Sequence, residues 1–398
     1  MCPVSSSLTV PSSIISCSYS SANQPRNGIL FYKTNDIQIE NLTIEYCGAM
    51  FTIYRPDNFT LVSALTFHES YDINLTQVRI DSSLGFGLDA NQVFGLFRVS
   101  KSIFVRCKAY RLEKNKNIGG NARFGYSCYN TSTGVVIQNT TLTIDHSWFM
   151  YGRLSYDIRY FYASGLIIHI YIPSVHVCIH KMTAKHNVGY HGGNVAIHIT
   201  DIHENTSTVA ISNSLIVNGS AIRGGGLQFW AKTQFERHNT HNMVNTTNRL
   251  IINITNTVFA NNSAGESGGG VYIGHYETET IDTTVRHISF VNCTFSQNSI
   301  NYKAGLTRSY SGAAIQIIRH NIDAFVPHNV PQYSMDFCEC NFEKNTMEDV
   351  INEGGILDFV STKNVIITNC SFTFNNGCLL YTSPSPRDAT LSRMPSSA

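Results

Sequence analysis

Charge is scarce in this chain of 398 residues: 14% are Asp, Glu, Lys or Arg, against roughly a quarter in an average globular protein. Acids and bases nearly cancel, leaving +1, and no basic run or stripe stands out. That argues against electrostatic binding to nucleic acid or an anionic membrane. Helix formers are also sparse. No stretch joins Ala, Leu, Glu and Lys content to a 3.6-residue apolar period, which excludes long helices. No apolar run reaches the ~18 residues of a membrane span, and the longest, Gly165–Ile172, is broken by His169. Met1–Ser20 lacks a charged start followed by an apolar block, so it does not read as a signal peptide. What fills the chain is Asn, Ser, Thr and Gly with β-branched and aromatic residues, including 20 Tyr and 22 Phe. These favour strands and tight turns.

Residues 378–398 read CLLYTSPSPRDATLSRMPSSA. The segment resembles the frame translation of a transposase-type sequencing adapter. Fixed codons match Cys378 through Asp388, an index supplies Ala389, Thr390 and Leu391, and a flow-cell primer supplies Ser392 through Ala398. The tail is therefore expected to be non-native and unpacked. The natural chain is expected to continue beyond Gly377, with Met1 open to being an internal methionine.

Before the tail a short motif recurs. It appears as Asn256-Thr257-Val258-Phe259, Asn292-Cys293-Thr294-Phe295, Glu339-Cys340-Asn341-Phe342 and Asn369-Cys370-Ser371-Phe372. Three residues after each Phe comes an Asn: Asn262, Asn298, Asn345 and Asn375. An alternating strand such as Ile252-Asn253-Ile254 precedes each copy, and glycine-led strands such as Gly269-Gly270-Val271-Tyr272-Ile273 follow. The column of small residues is read backwards through Ser147, Cys107, Ser83 and Cys47. Surplus spacing is assigned to loops at about 109–133, 230–248 and 318–332, with a degenerate coil near 167–182.

Short units that each supply strands cannot bury an apolar face alone, so they stack. Like positions then lie one above another about 4.8 Å apart. Phe should stack on Phe inside, and Asn on Asn at a bend. The expected fold is all-β, a single-stranded right-handed parallel β-helix of roughly nine to ten coils with loop insertions. Its expected bounds are 35–377, after a partial coil or fragment start at 1–34. Cys293, Cys340 and Cys370 should be buried free thiols, because parallel stacked side chains hold their Cβ atoms too far apart for a relaxed disulfide. The cysteines as a group point to packing.

The pairing of F-x-x-N with G-G-[A/G]-[I/L/V] resembles the repeats of polymorphic outer-membrane-type adhesins. The wider pattern resembles right-handed β-helix (pectin-lyase-like) extracellular proteins. That resemblance implies a secreted or surface location and a rod that binds a polysaccharide or an extracellular protein. Its membrane barrel has no counterpart here.

Many such helices are lyases or glycosidases, which need paired carboxylates or acid clusters around a cation. Glu45, Asp81 and Asp145 are the candidate catalytic acids, read as one column, although Val105 interrupts it and no Arg or Lys is seen beside it. Solvated surface acids are the plainer expectation. The histidines between His169 and His203 complete no ligand set; His176 and His180 share a strand face. No metal or cofactor is expected. Asn41, Asn58, Asn74, Asn130, Asn139, Asn205, Asn218, Asn245, Asn253, Asn261, Asn292 and Asn369 begin N-x-[S/T] triplets. Secretion with N-glycosylation would explain them, and so would Asn-rich bends followed by Ser/Thr strands. The functional expectation is a non-catalytic secreted or cell-surface scaffold for adhesion. The alternative is a carbohydrate-active enzyme of the pectin-lyase-like superfamily.

Overall fold

The computed structural model describes residues 7–16, 28–47, 51–52, 60–61, 63–83, 85–108, 110–113, 116–118, 120–127, 140–153, 165–171, 175–200, 206–233, 249–277, 285–301, 312–321, 333–348, 355–359 and 362–382.

One coil shows how the sequence folds. In the strand Arg249–Thr255, Leu250, Ile252 and Ile254 alternate inward and are buried, as a period of two requires. Asn256 turns the chain at φ 47°, a left-handed conformation that Asn tolerates better than most side chains. Thr257 drops inward, Val258–Ala260 forms a short leg, and Asn261 makes a second corner at φ 52°. Ser263–Ser267 follows, then Gly268 at φ 64°, where an added Cβ would sit 2.6 Å from the Val271 carbonyl oxygen. Val271–Glu277 closes the coil. The next coil repeats every leg one strand over, pairing Ile252 with Ile288, Phe259 with Phe295, Ala264 with Ile300 and Val271 with Ile315.

Three parallel sheets of 20, 11 and 4 strands result. The first holds the long and short legs on either side of the first corner, the second holds the glycine-led strands, and the third holds the strands after the second corner. Antiparallel pairing among the described residues is confined to two small hairpins, Tyr110–Glu113 with Lys116–Ile118 and Phe51–Thr52 with Thr60–Leu61. No helix occurs among the described residues. The chain is a parallel β-helix solenoid.

Inside the short leg, Phe259, Phe295, Phe342 and Phe372 stack face to face at 5.0, 4.9 and 4.7 Å, within 6° of parallel. At the second corner, Asn262, Asn298 and Asn345 each donate from Nδ2 to the Oδ1 of the next asparagine, at 3.1, 3.0 and 2.9 Å, ending on Asn375. Each also donates to the carbonyl of a residue in the short leg: Ile216, Phe259 and Phe295. A buried amide left without partners would cost about 1–3 kcal/mol, so the ladder removes that penalty coil after coil.

The register corrects several sequence assignments. The first-corner column of inward residues runs Val78, Ser102, Ser147, Met182, Ser214, Thr257, Cys293, Cys340, Cys370. Cys47, Ser83 and Cys107 belong instead to the second-corner column with Asn262. The two corners share one local pattern, a left-handed residue followed by an inward one, and the sequence alone cannot tell them apart. Gly120–Ser127, placed within a loop, is a full strand of the second sheet. The stretch read as degenerate is a regular coil, with Leu166–Tyr171 and Val175–His180 in register with their neighbours. Cys293 and Cys340 are buried free thiols, whereas Cys370 is only half-buried, in a coil where Ile366 and Phe374 are 55% and 82% exposed. Cys47 is disulfide-bonded, so packing alone does not account for it.

Parallel pairing extends to both ends of the described residues. Ser7–Ser16 and Ile29–Tyr32 pair in parallel with the first and second sheets. Cys378–Thr382, expected to stay unpacked, pairs in backbone register with Gly355–Phe359. An unpaired parallel edge offers hydrogen bonds to any extended segment regardless of its side chains. The rest of the tail, 383–398, lies outside the described residues.

Candidate functional site

The three candidate acids do not share a column. Glu45 pairs with Asp81, and Asp81 with Val105, on the short leg. Asp145 sits on the long leg between Ser100 and His180, where it contacts His146 Nδ1 at 2.8 Å. One corner separates the two sets, and the similar spacing around each corner hid it.

Asp81 is not a solvated acid either; it is 3% exposed. Arg79 Nη2 donates to its Oδ2 at 2.7 Å, Arg106 Nε to its Oδ1 at 2.8 Å, and Ser82 Oγ to Oδ1 at 2.9 Å. Arg106 adds a second bond from Nη2, making a bidentate fork. Burial by itself would raise the Asp81 carboxyl, but the bonds from Arg106, Ser82 and Arg79 and the Arg106 charge outweigh it and hold the group below its usual range. Such a carboxylate stays ionised and cannot serve as a general acid near neutral pH.

Beside this cluster a groove of about 750 Å³ opens along the second corner, lined by Tyr46, Ser82, Ser83, Arg106, Lys108, Tyr151 and Arg153. Its residues come from successive coils. Tyr46, Ser82, Arg106 and Tyr151 are equivalent left-handed corner residues, at φ 55° to 58°, and Lys108 pairs with Arg153 two places further on. A left-handed residue points its side chain away from the core, so whatever occupies this column lines the flank. Tyr46 and Tyr151 are 48% and 45% exposed. Tyr151 lies flat on His186, with centroids 4.9 Å apart and planes at 6°. Sequence reasoning missed this surface. The usable signal was the residue just before each second-corner inward position: Tyr46 before Cys47, Arg106 before Cys107, Tyr151 before Gly152.

The outer face of the second sheet carries a different polar row. Arg123 forks onto Asp89 at 2.8 and 2.7 Å, and Gln316 donates to Asp358 at 2.9 Å; Asp89, Gln316 and Asp358 are buried. His169 and His198 meet edge to face at 5.1 Å. Burial, with a smaller push from Arg123, lowers His169 to about 3, and burial with His169 and His191 lowers His198 well below its ordinary value. His176 and His180 do share a face and bond outward hydroxyls of the next coil, Thr208 and Ser212, at 2.8 and 2.9 Å. No group of three or more His, Cys, Asp or Glu able to hold a metal ion occurs among the described residues.

The sequons divide by geometry. Asn41, Asn218, Asn261, Asn292 and Asn369 are left-handed corner residues, each followed by an inward residue and then an outward Ser or Thr. The corner itself thus generates N-x-[S/T]. Asn74 and Asn253 lie mid-strand on outward faces. None of these seven is buried. Asn58, Asn130, Asn139, Asn205 and Asn245 lie outside the described residues. Near Cys107, burial pushes the thiol up to about 12. The hydrogen bond to Cys293, together with burial, likewise raises the Cys340 thiol. Both are poor nucleophiles.

No protein-family model matches the chain, and no curated protein matches it. Among solved structures, the Streptococcus pneumoniae surface protein and adhesin PfbA is similar at 12% identity, over 93% of this chain and 81% of that one, with a TM-score of 0.28. A second structure of that surface adhesin matches at 11% identity, over 91% and 73%, again with a TM-score of 0.28. A likeness that loose adds nothing to what the sheet registers establish.

Proposed function

We propose that the chain is a secreted or cell-surface, N-glycosylated β-helix scaffold that binds an extracellular carbohydrate or protein on its flank without catalysing a reaction. One observation carries this reading: exposed tyrosines and cations line the second-corner groove, while the buried carboxylate beside it is already neutralised by two guanidiniums. Glycoside cleavage needs two carboxyl groups free to act as acid and base across a bond; Asp81 is committed and Asp145 lies on another leg. Aromatic rings with low side-chain entropy and arginines are the residue types that dominate binding surfaces. A solenoid also presents them in a row along its length. No helix among the described residues is long and apolar enough to cross a membrane, which says nothing of a β-barrel. The tail 378–398 has no part in this reading, in keeping with its resemblance to translated adapter.

The test is binding of the full chain to arrayed polysaccharides and extracellular-matrix proteins, alongside an assay for reducing ends and unsaturated products. Saturable binding without product is expected, weakened about fivefold or more by Tyr46→Ala or Tyr151→Ala, equivalent to ~1 kcal/mol. Turnover abolished by Asp81→Asn would sink the proposal in favour of the carbohydrate-active enzyme.

A further inference from the structure

The geometry points to the second-corner groove as a docking site for the acidic groups, sulfate or carboxylate, of a linear glycan. This rests on the binding reading above and narrows it to one ligand chemistry. Lys108 and Arg153 are paired across adjacent coils, so their backbones lie about 4.8 Å apart. Both side chains are exposed, and neither has an ion-pair partner among the described residues. Like charges directly opposite on neighbouring strands repel. An anion seated between them removes that repulsion, which gives an acidic ligand a gain that a neutral one lacks.

The charge balance of the groove supports the same conclusion. Asp81 is shared by Arg79 and Arg106, and Glu45 lies beside Asp81 on the next strand. Those two acids offset the two arginines and leave Lys108 and Arg153 uncompensated among the described residues. Arg106 keeps 55% of its side chain exposed, so N–H groups beyond those held by Asp81 still face the groove.

The aromatic residues indicate what carries the anion. Tyr46 and Tyr151 stand exposed beside the cations, and Tyr151 is braced by its flat contact with His186. A braced ring beside a cation suits a sugar ring bearing a charged substituent better than a free ion. Single-stranded nucleic acid also uses rings and cations, but it needs a basic track. Here the corner column continues as His186, Asn218, Asn261 and Gln297, which can donate hydrogen bonds to hydroxyls but supply no fixed positive charge. The next cation, Lys344, is already paired with Glu343.

Fluorescence-detected titration of the full chain would use a heparin octasaccharide, an oligogalacturonate, a neutral dextran oligomer and a single-stranded oligonucleotide. Binding of one or both acidic glycans is expected, with dextran inert; the two acidic arms separate sulfate from carboxylate. Lys108→Glu and Arg153→Glu should each weaken that binding by about tenfold, and the pair by about a hundredfold. Lys344→Glu, at the same corner several coils away, should leave it unchanged. All three side chains are exposed, and unchanged circular dichroism and melting would confirm folding. Reversal variants that bind as the native chain does, equal binding of dextran, or preference for the oligonucleotide would overturn the inference. If the chain binds another arrayed ligand and no acidic glycan, this inference fails while the binding reading stands.

Discussion

Between Arg249 and Gly377 the short-leg interior holds four phenylalanines in file, whereas between Asn35 and Val217 the same column reads Ile44, Ile80, Phe104, Phe149, Ala184 and Ile216. The second-corner column differs in the same way. It reads Asn262, Asn298, Asn345 and Asn375 in the later coils, and Ser83, Cys107, Gly152, Asn187 and Gly219 in the earlier ones. Yet the amide ladder does not stop. Asn121 and Asn194, both from the opposite wall at the start of second-sheet strands, step into the gaps left by Gly152 and Gly219. Asn121 donates to Asn187 at 3.0 Å, Asn187 to Asn194 at 2.8 Å, and Asn194 to Asn262 at 3.1 Å. A side chain on Gly219 would collide with this arrangement, its Cβ falling 2.4 Å from Asn194 Nδ2. The stack keeps the space filled and the amides bonded; which wall supplies the residue is free to change.

The largest expected effect tests the aromatic file. Phe295→Ala should cost about 4 kcal/mol in urea unfolding, since its ring is sandwiched between Phe259 and Phe342. Phe104 stacks on Phe149 at 5.1 Å and faces Ile80 on its other side, so Phe104→Ala should fall about 1 kcal/mol short of that. Equal costs would show that the ordered file adds nothing beyond buried area.

Next comes the ladder. Asn298→Ala removes an amide bonded to Asn345 and Phe259 and also strips the acceptor from the Asn262 backbone N–H. A loss of about 3 kcal/mol is expected. Asn194→Ala should cost the same within about 1 kcal/mol, although it enters the ladder from a glycine-led strand start and not from the F-x-x-N motif. A loss below half that of Asn298→Ala would break the equivalence between the two regions.

The last comparison is confined to the earlier coils. His169 and His198 are held neutral by burial, so the unfolded chain binds more protons than the folded one below pH ~6.5. Stability contributed by these groups is full above that pH and falls as pH drops from about 6.5 toward the folded value, about 3 for His169. Melting between pH 7 and pH 5 should show this decline in the native chain and a shallower one in His169→Phe/His198→Phe. Identical slopes would mean that the imidazoles are solvated when folded. The lowered Asp81 carboxyl acts in a separate window: its stabilisation is lost only below pH ~4.

The later coils were readable because the inward Phe and Asn recur in every one of them, even though Gln297, Glu339, Lys344 and Phe374 fill some of their left-handed corners. Asn takes the left-handed corners at Asn256 and Asn292, Phe fills the interior, and Gly268 takes the third corner. In the earlier coils Lys101, His146, Lys181 and Arg106 occupy left-handed corners, held there by neighbouring coils against their own preference. Nothing local marks such a residue as a corner, so the two corners merged into one apparent column and the acids Asp81 and Asp145 with them. The groove was lost for the same reason.

The period-two alternation and the Phe, Asn and Gly spacing determined by themselves that the chain forms a parallel β-helix, because a motif that recurs in the same order buries its apolar face by stacking one coil on the next. The tertiary structure decided which coils lie in register, that Asn121 and Asn194 complete the ladder across the interior, and that Tyr46, Arg106, Lys108, Tyr151 and Arg153 share one flank. Those are contacts between residues tens of positions apart, and the insertions that vary the spacing between coils leave no fixed period from which to count them.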